Sequence, residues 1–233
     1  MKSTIGSTRG KTDDVSSDHK QRRLERAVAI KVCNGANGCR NAIADNVPIV
    51  NGIEEIFTGL GFDEFMLCKV GGVIRSHHQI KVAISFCPNA CSQPQIVDLG
   101  LIMAAPVKTT TSPCSFCRAC CEACLEKAVV VTDYEGPKIF SEKCLMCGKC
   151  ARVCPTQTIV SQDPAFRFII GGKLGRHPRL GTELPGIFSL KDTILLVEKS
   201  FRFFMLHYSQ DIKRFADLFS VFKAEQIIKE IQA

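Results

Sequence analysis

No stretch of this 233-residue chain approaches eighteen consecutive apolar residues, so the sequence offers no helix able to span a bilayer. Its opening segment, MKSTIGSTRGKTDDVSSDHKQRR, carries positive charge with no apolar core behind it, which argues against a secretory signal. Residues 1–23 read instead as a polar lead-in. A nucleic-acid module is missing as well. The formal net charge of +7 raises that question, but the aromatic residues are mostly Phe in apolar surroundings, without a stacking pattern. Part of the excess charge lies in the lead-in and part in GGKLGRHPRLG at 171–181, which suits an acidic small molecule or cofactor better than nucleic acid.

Cysteine is abundant. There are fourteen, in tight and repeated spacings. Without a signal peptide such spacings point to thiolates that ligate metal in a reducing cytoplasm, not to disulfides. The apolar fraction of 45% and charged fraction of 23% are ordinary for a globular chain, and the length allows one or two domains with a sizeable core.

Eight cysteines form a repeat at an interval of thirty residues. CSFCRACCEAC supplies Cys114, Cys117, Cys120 and Cys124; CLMCGKCARVCP supplies Cys144, Cys147, Cys150 and Cys154, followed by Pro155. Both read C-x2-C-x2-C-x3-C, the bacterial two-cluster ferredoxin spacing. Three closely spaced thiolates wrap three corners of one cubane, and the fourth reaches the other. The expected ligand sets are therefore Cys114, Cys117, Cys120 with Cys154, and Cys144, Cys147, Cys150 with Cys124. Zinc also uses C-x2-C pairs, but two matching four-cysteine runs favour [4Fe–4S] clusters. Between the runs, AVVVTDYEGPKIF reads as two short strands around a Gly-Pro turn. Leu125 stands where a proline often follows the last cysteine. Cys121 has no place in the spacing and reads as a neighbour of the ligands; Cys68 reads as a buried apolar residue.

Outside residues 108–160 a continuous α/β pattern remains. AVAIKVC reads as a strand running into Cys33, IEEIFTGLG as a short helix, IKVAISFC as a strand running into Cys87, and QIVDLGLIMA as another strand. FRFIIGG is a further strand before the basic glycine-rich loop, and helices are expected over about 189–208 and 211–232. Each remaining cysteine pair, C-x5-C at Cys33 and Cys39 and CPNAC at Cys87 and Cys91, starts where a strand ends.

C-x5-C followed by CPNAC, with Gly35 inside the first, resembles the siroheme and [4Fe–4S] motif of the nitrite and sulfite reductase family. The ferredoxin unit after it, followed by GGKLGRHPRLGTELPG, is similar to the dissimilatory-type members and to the siroheme subunit of anaerobic sulfite reductase. The resemblance covers roughly residues 25–200. It implies an α/β (α+β) siroheme-reductase half domain over 24–107 and 161–233, with an inserted two-cluster ferredoxin domain over 108–160. It implies that Cys33, Cys39, Cys87 and Cys91 hold a third [4Fe–4S] cluster, and that Cys91 bridges to siroheme iron. Lys173, Arg176, His177 and Arg179 are then the expected partners of the siroheme carboxylates.

Family members usually begin with a ferredoxin-like half. Only about thirty residues precede Cys33, so that half is expected to be absent here, and a partner subunit or a homo-oligomer would complete the siroheme cleft. The family's substrate cations correspond to Val28, Gln79 and Lys81, of which only Lys81 is charged. Lys81 is the candidate for contact with sulfite or nitrite; His77 and His78 read as an exposed turn. The resemblance implies a cytoplasmic oxidoreductase, served by an electron donor protein, that passes electrons through two ferredoxin clusters to a siroheme-coupled cluster. The alternative is a three-cluster electron carrier without siroheme or reductase activity of its own.

Overall fold

The computed structural model describes residues 26–44 and 48–233. The lead-in over 1–23 lies outside the described residues. Strand β1 (Val28–Val32) opens the fold, and helices α1 (Ile49–Gly59) and α2 (Phe62–Val70) follow. Ile49, Ile53 and Phe57 recur at every fourth position and form the buried stripe of α1. The α2 helix, which the sequence pattern does not reveal, buries Phe62 and Met66 and is ended by Gly71 at φ 65°. Strands β2 (Ile80–Ser85) and β3 (Leu99–Ala104) complete a parallel trio with β1.

The chain then leaves the sheet. Strand β4 (Val107–Thr109), helix α3 (Ala119–Ala123), the hairpin β5 (Val129–Thr132) and β6 (Gly136–Ile139), and helix α4 (Lys149–Arg152) lead to β7 (Ile159–Ser161). β4 and β7 pair antiparallel, so the segment leaves and returns through adjacent strands. It carries its own small core of Cys120, Val129, Val131, Cys150 and Ile159. Strand β8 (Ala165–Ile170) rejoins the sheet antiparallel to β3, and β9 (Thr182–Glu183) adds a short edge. The order is β1-β2-β3-β8-β9. Helices α5 (Leu190–His207), α6 (Leu218–Val221) and α7 (Ala224–Gln232) end the chain.

Alternation along the strands explains the layering. Val82 and Ile84, Leu99 and Leu101, and Phe166 and Phe168 face the helices and join one core with Phe62, Phe201 and Phe204. Phe201 meets Phe62 edge-on at 4.7 Å and Phe57 at 4.8 Å. Truncating such a buried ring costs roughly 3–5 kcal/mol. The alternate residues, among them Ala29, Lys31, Lys81, Ala83 and Gly100, belong to the sheet's other face by register.

Two expected elements are shorter than the sequence pattern suggests. The strand read at QIVDLGLIMA starts only at Leu99, because Pro94–Ile96 form a 3-10 turn whose Pro94 lies against Gly100; a Cβ on Gly100 would meet the Pro94 carbonyl oxygen. The helix read over 211–232 is broken. The Asp217 carboxylate accepts the backbone N–H groups of Lys213 and Arg214, and Phe222 turns extended between α6 and α7. Among the described residues no helix is long and apolar enough to cross a membrane.

Candidate functional site

Because β1, β2 and β3 are parallel, their carboxyl ends lie at one edge of the sheet. Cys33 follows β1, and Cys87 follows β2 after Phe86. The backbone N–H groups of Gly35 and Phe86 both donate to the Cys33 sulfur at 3.3 Å. Only glycine fits at position 35: a Cβ there would stand 2.5 Å from the Phe86 Cβ. The CPNAC turn places Ala90 at φ 53° and Gln93 at φ 63°, conformations uncommon for residues with a side chain. Ser92 anchors the far end through a 2.7 Å hydroxyl contact with Ser85. Burial pushes the Cys87 thiol up, and the nearby Cys33, Cys91 and Cys39 push it the same way against the lowering backbone N–H of Asn89.

The thirty-residue repeat of the sequence is also a repeat of backbone shape. Phe116 and Met146, Arg118 and Gly148, and Lys127 and Gln157 are matched pairs with positive φ. Phe116 N–H donates to the Cys114 sulfur at 3.3 Å, and Met146 N–H to the Cys144 sulfur at 3.4 Å. The later cysteines are served likewise: Ala128 N–H reaches the Cys124 sulfur at 3.2 Å, and Ile159 N–H the Cys154 sulfur at 3.5 Å.

Two cysteines each sense a thiol of the other run. Burial pushes the Cys150 thiol up to about 11, reinforced by Cys144, Cys147 and Cys124. Cys117 is lowered by the backbone N–H of Ala119 and feels Cys154 in opposition. Cys124 also lines one cleft with Cys144, Cys147 and Cys150. Cys121 is a hydrogen-bonded neighbour of Cys120, whose thiol is raised to about 11 by burial and then by Cys121. Cys68, expected from the sequence to be buried, is exposed on α2 because that helix turns only Phe62 and Met66 inward. Among the described residues no three Cys, His, Asp or Glu side chains converge as they would on a single ion. The irons of a cubane occupy separate corners and take one thiolate each, so the sets above fit that group in donor chemistry.

One apolar cleft joins the two cysteine regions. Cys87, Pro88 and Asn89 line one wall, and Cys124, Cys144, Cys147 and Cys150 line the other. Its hinge is backbone: Ala105 N–H donates to the Met146 carbonyl at 2.7 Å, and Ala105 bridges Cys147.

The candidate cations collect at the opposite edge of the sheet. Lys81 at the start of β2 and Lys173 after β8 line one polar pocket of about 200 Å³, with His77, Gln79, Gly172, Asp98 and Arg214. Lys81 N–H donates to Asp98 Oδ2 at 2.8 Å, and burial pushes the Asp98 carboxyl up to about 6. Six residues of chain separate Lys81 from Cys87, roughly 20 Å for an extended strand.

Arg176, His177, Arg179 and Val28 do not line that pocket. Arg179 faces inward: its guanidinium donates to the Gly171 carbonyl at 3.0 Å and stacks on Phe219 at 4.3 Å. Arg176 and His177 sit exposed at the tip of the loop that the Lys173–Arg179 pair closes. Val28 is buried in the helix-facing core, and the Gln79 amide donates to the Arg26 carbonyl at 2.9 Å. Of the two histidines, His77 lines the Lys81 pocket, whereas His78 accepts the Arg75 N–H. Sequence reasoning alone misses Arg214, which lines the pocket but has no motif around it.

Residues 25–233 match the family described as the nitrite and sulphite reductase 4Fe-4S domain. The chain is 28% identical over 156 residues to one subunit of the anaerobic sulfite reductase of Salmonella typhimurium, covering 65% of this chain and 42% of that protein. It is equally similar to the corresponding Salmonella typhi protein. It therefore spans about two fifths of the length of these relatives. Its fold resembles that of dissimilatory sulfite reductase I, with a TM-score of 0.54 and 12% identity over 88% of this chain and 52% of that one. The chain belongs to the nitrite and sulphite reductase 4Fe-4S domain family and is an iron–sulfur protein of the sulfite and nitrite reductase type.

Proposed function

We propose that this chain is an oxidoreductase subunit that passes electrons through two ferredoxin-type clusters to a third cluster coupled to siroheme. Residues 108–160 form the inserted ferredoxin unit, and 24–107 with 161–233 the siroheme-reductase half. When bound, the cubanes supply one-electron transfer and siroheme an open iron at which sulfite or nitrite is reduced. The protein's part is to hold and insulate. Cys114, Cys117, Cys120 and Cys154 hold one cluster; Cys144, Cys147, Cys150 and Cys124 the second; Cys33, Cys39, Cys87 and Cys91 the third, with Cys91 shared with siroheme. Backbone N–H groups are aimed at the sulfurs of Cys33, Cys114 and Cys144. Lys173, Arg176 and His177 meet siroheme carboxylates, Arg179 fixes the loop that carries them, and Lys81 contacts anionic substrate.

The observation that carries this reading is the cleft lined by both Cys87 and the Cys124, Cys144, Cys147 and Cys150 set, which brings a ferredoxin-type ligand set beside the CPNAC turn. The similar Salmonella protein is by name one subunit of its reductase. A partner subunit or a second copy completing the siroheme cleft, and a separate electron donor protein, follow from that similarity. Pigment extraction from anaerobically purified protein is the test. Extracted siroheme with three reducible clusters is expected; two clusters and no siroheme would overturn the reading.

A second reading has its own support. Val28 is buried and Gln79 is bonded to Arg26, so two positions at which the resemblance sets a substrate cation carry none, and Arg179, expected to meet carboxylates, is engaged within the fold. A three-cluster carrier without siroheme fits those facts. Three clusters with no extractable siroheme would select it.

A further inference from the structure

The two cysteine runs match in backbone shape, but the side chains after their last cysteines do not. Cys124 is followed by Leu125, Glu126, Lys127 and Ala128, none of which carries a hydroxyl, and its sulfur receives the Ala128 N–H. At the matching places after Cys154 stand Thr156 and Thr158. The Cys154 sulfur receives the Ile159 N–H at 3.5 Å and lies 3.8 Å from the Thr156 hydroxyl. From there the contacts run inward. Thr156 Oγ1 is 2.8 Å from Thr158 Oγ1, and the Thr158 hydroxyl reaches the Pro113 carbonyl at 3.2 Å.

Pro113 directly precedes Cys114. The hydroxyl chain therefore links the last cysteine of the second run to the backbone beside the first cysteine of the first. Its frame is firm. Thr158 is buried, and Thr110 donates its N–H to the Thr158 carbonyl at 2.8 Å and its hydroxyl to the Gln157 carbonyl at 2.9 Å. Each threonine hydroxyl carries one proton, and a sulfur bonded to iron can only accept. Thr156 then donates to the sulfur and accepts from Thr158, whose alternative acceptor is the Pro113 carbonyl. A hydrogen bond to a ligand sulfur stabilises the more negative, reduced cubane and so raises its reduction potential.

We propose that the Thr156 hydroxyl raises the reduction potential of the cluster held by Cys114, Cys117, Cys120 and Cys154, and that Thr158 is the positioning residue for that hydroxyl. The inference rests on the reading of residues 108–160 as a two-cluster unit with crosswise ligation. The step concerned is the uptake of one electron by the cubane from a donor protein. No bond to the protein forms or breaks, and the hydroxyl proton stays on oxygen. On the other cluster the repeat sets Glu126, a carboxylate acceptor, in place of Thr156.

The test is a redox titration of the full chain with reconstituted clusters, followed by electron paramagnetic resonance. Cys117→Ser and Cys147→Ser assign the signals of the first and second runs. Thr156→Val removes the hydroxyl and keeps the shape; Thr156→Ala removes it without a second methyl group. Both should lower the first-run midpoint by about 59 mV, a tenfold change in the one-electron equilibrium. Iron and sulfide content and the second-run midpoint should stay unchanged. Thr156→Ser should restore the unaltered value, and Thr158→Val, which keeps the Thr156 hydroxyl, should shift the midpoint less than Thr156→Val. An unmoved first-run midpoint in both hydroxyl-free variants at full iron content overturns the proposal. A shift in Thr156→Ser as large as in Thr156→Val overturns it too, since shape and not the hydroxyl would then be the cause. A shift confined to the second-run signal overturns it by placing Cys154 on the other cluster. Unaltered protein that reconstitutes without two ferredoxin-type clusters instead overturns the two-cluster reading itself, before any variant is compared.

Discussion

Cys87 and Cys147 line a single apolar cleft, although sixty residues of chain separate them. The contact is made by close backbone packing. Ala105 bridges Cys147, and a Cβ on Gly148 would come within 2.9 Å of the Ala105 Cβ. Gly148 also sits at φ 71°. Gly148→Val is therefore expected to push the second cysteine run away from the CPNAC turn. Rapid-reduction kinetics should show slower electron arrival at the third cluster with the iron content unchanged. Unaltered kinetics would remove the cleft from the electron path.

Crosswise ligation makes a separable prediction. Three cubanes correspond to roughly twelve irons per chain. Cys124→Ser should disturb the cluster of the second run, and Cys154→Ser that of the first, each against its neighbours in sequence. Iron and sulfide analysis with electron paramagnetic resonance reads this out. Disturbance of the cluster nearer in sequence would show in-run ligation instead.

The cysteine sets were legible because each carries a spacing, and spacing survives in the sequence whatever the fold does. The strands leading into Cys33 and Cys87 were legible for the same reason: apolar runs ending at a ligand. Arg214 was not, because its place beside Lys81 depends on the long return of the chain after α5. The contacts of Arg179 are illegible for a related reason. Its charge pointed outward by composition, while the stacking on Phe219 and the Gly171 carbonyl that turn it inward lie far along the chain or on the backbone. The α2 helix was missed because its short sequence, FDEFMLCKV, buries only Phe62 and Met66.

Arg179 yields a stability prediction. Arg179→Ala removes donors from the Gly171 and Ala216 carbonyls and a cation from the Phe219 ring. The expected cost is about 1–3 kcal/mol. Thermal unfolding should fall by several degrees, and siroheme retention should fall with it because the loop loosens. Lower retention with unchanged thermal stability would instead return Arg179 to direct carboxylate binding.

Asp98 links the Lys81 pocket to pH. Its folded pKa of about 6 lies above the ordinary 3.8, so the folded state holds this proton more tightly than the unfolded chain. The stability it contributes is complete below about pH 4 and is lost as pH rises through about 6. Lys81 and Arg214 oppose the shift and Asp217 supports it, but burial dominates. Asp98→Asn, which keeps an acceptor for the Lys81 N–H, should raise the melting temperature at pH 7.5 by a few degrees, by roughly half as much at pH 5, and leave it nearly unchanged below about pH 4. Oxyanion binding should strengthen in unaltered protein as pH falls through 6 and lose that dependence in the variant. A pH profile identical in both proteins would remove Asp98 from the account.

Catalysis gives the last test, and the buried position of Val28 decides its design. The resemblance to the reductase family sets an arginine at that position, but here the side chain is 8% exposed and belongs to the helix-facing core. Val28→Arg would bury an unpaired charge at a cost of several kcal/mol and should lower the yield of folded protein, not raise activity. Gln79 is different: it lines the Lys81 pocket, and its amide bond to the Arg26 carbonyl is one exchangeable contact. Gln79→Lys should add a third ammonium group near a bound anion, and a charge-assisted hydrogen bond there contributes about 1.5–3 kcal/mol. Sulfite affinity should rise about tenfold or more, and any sulfite reduction by siroheme-loaded protein with an artificial donor should rise with it from a slow baseline. Brisk turnover by the unaltered chain would show that Lys81, Lys173 and Arg214 already suffice. Unchanged affinity in Gln79→Lys, with the fold intact, would place the substrate away from this pocket and toward the cysteine edge of the sheet.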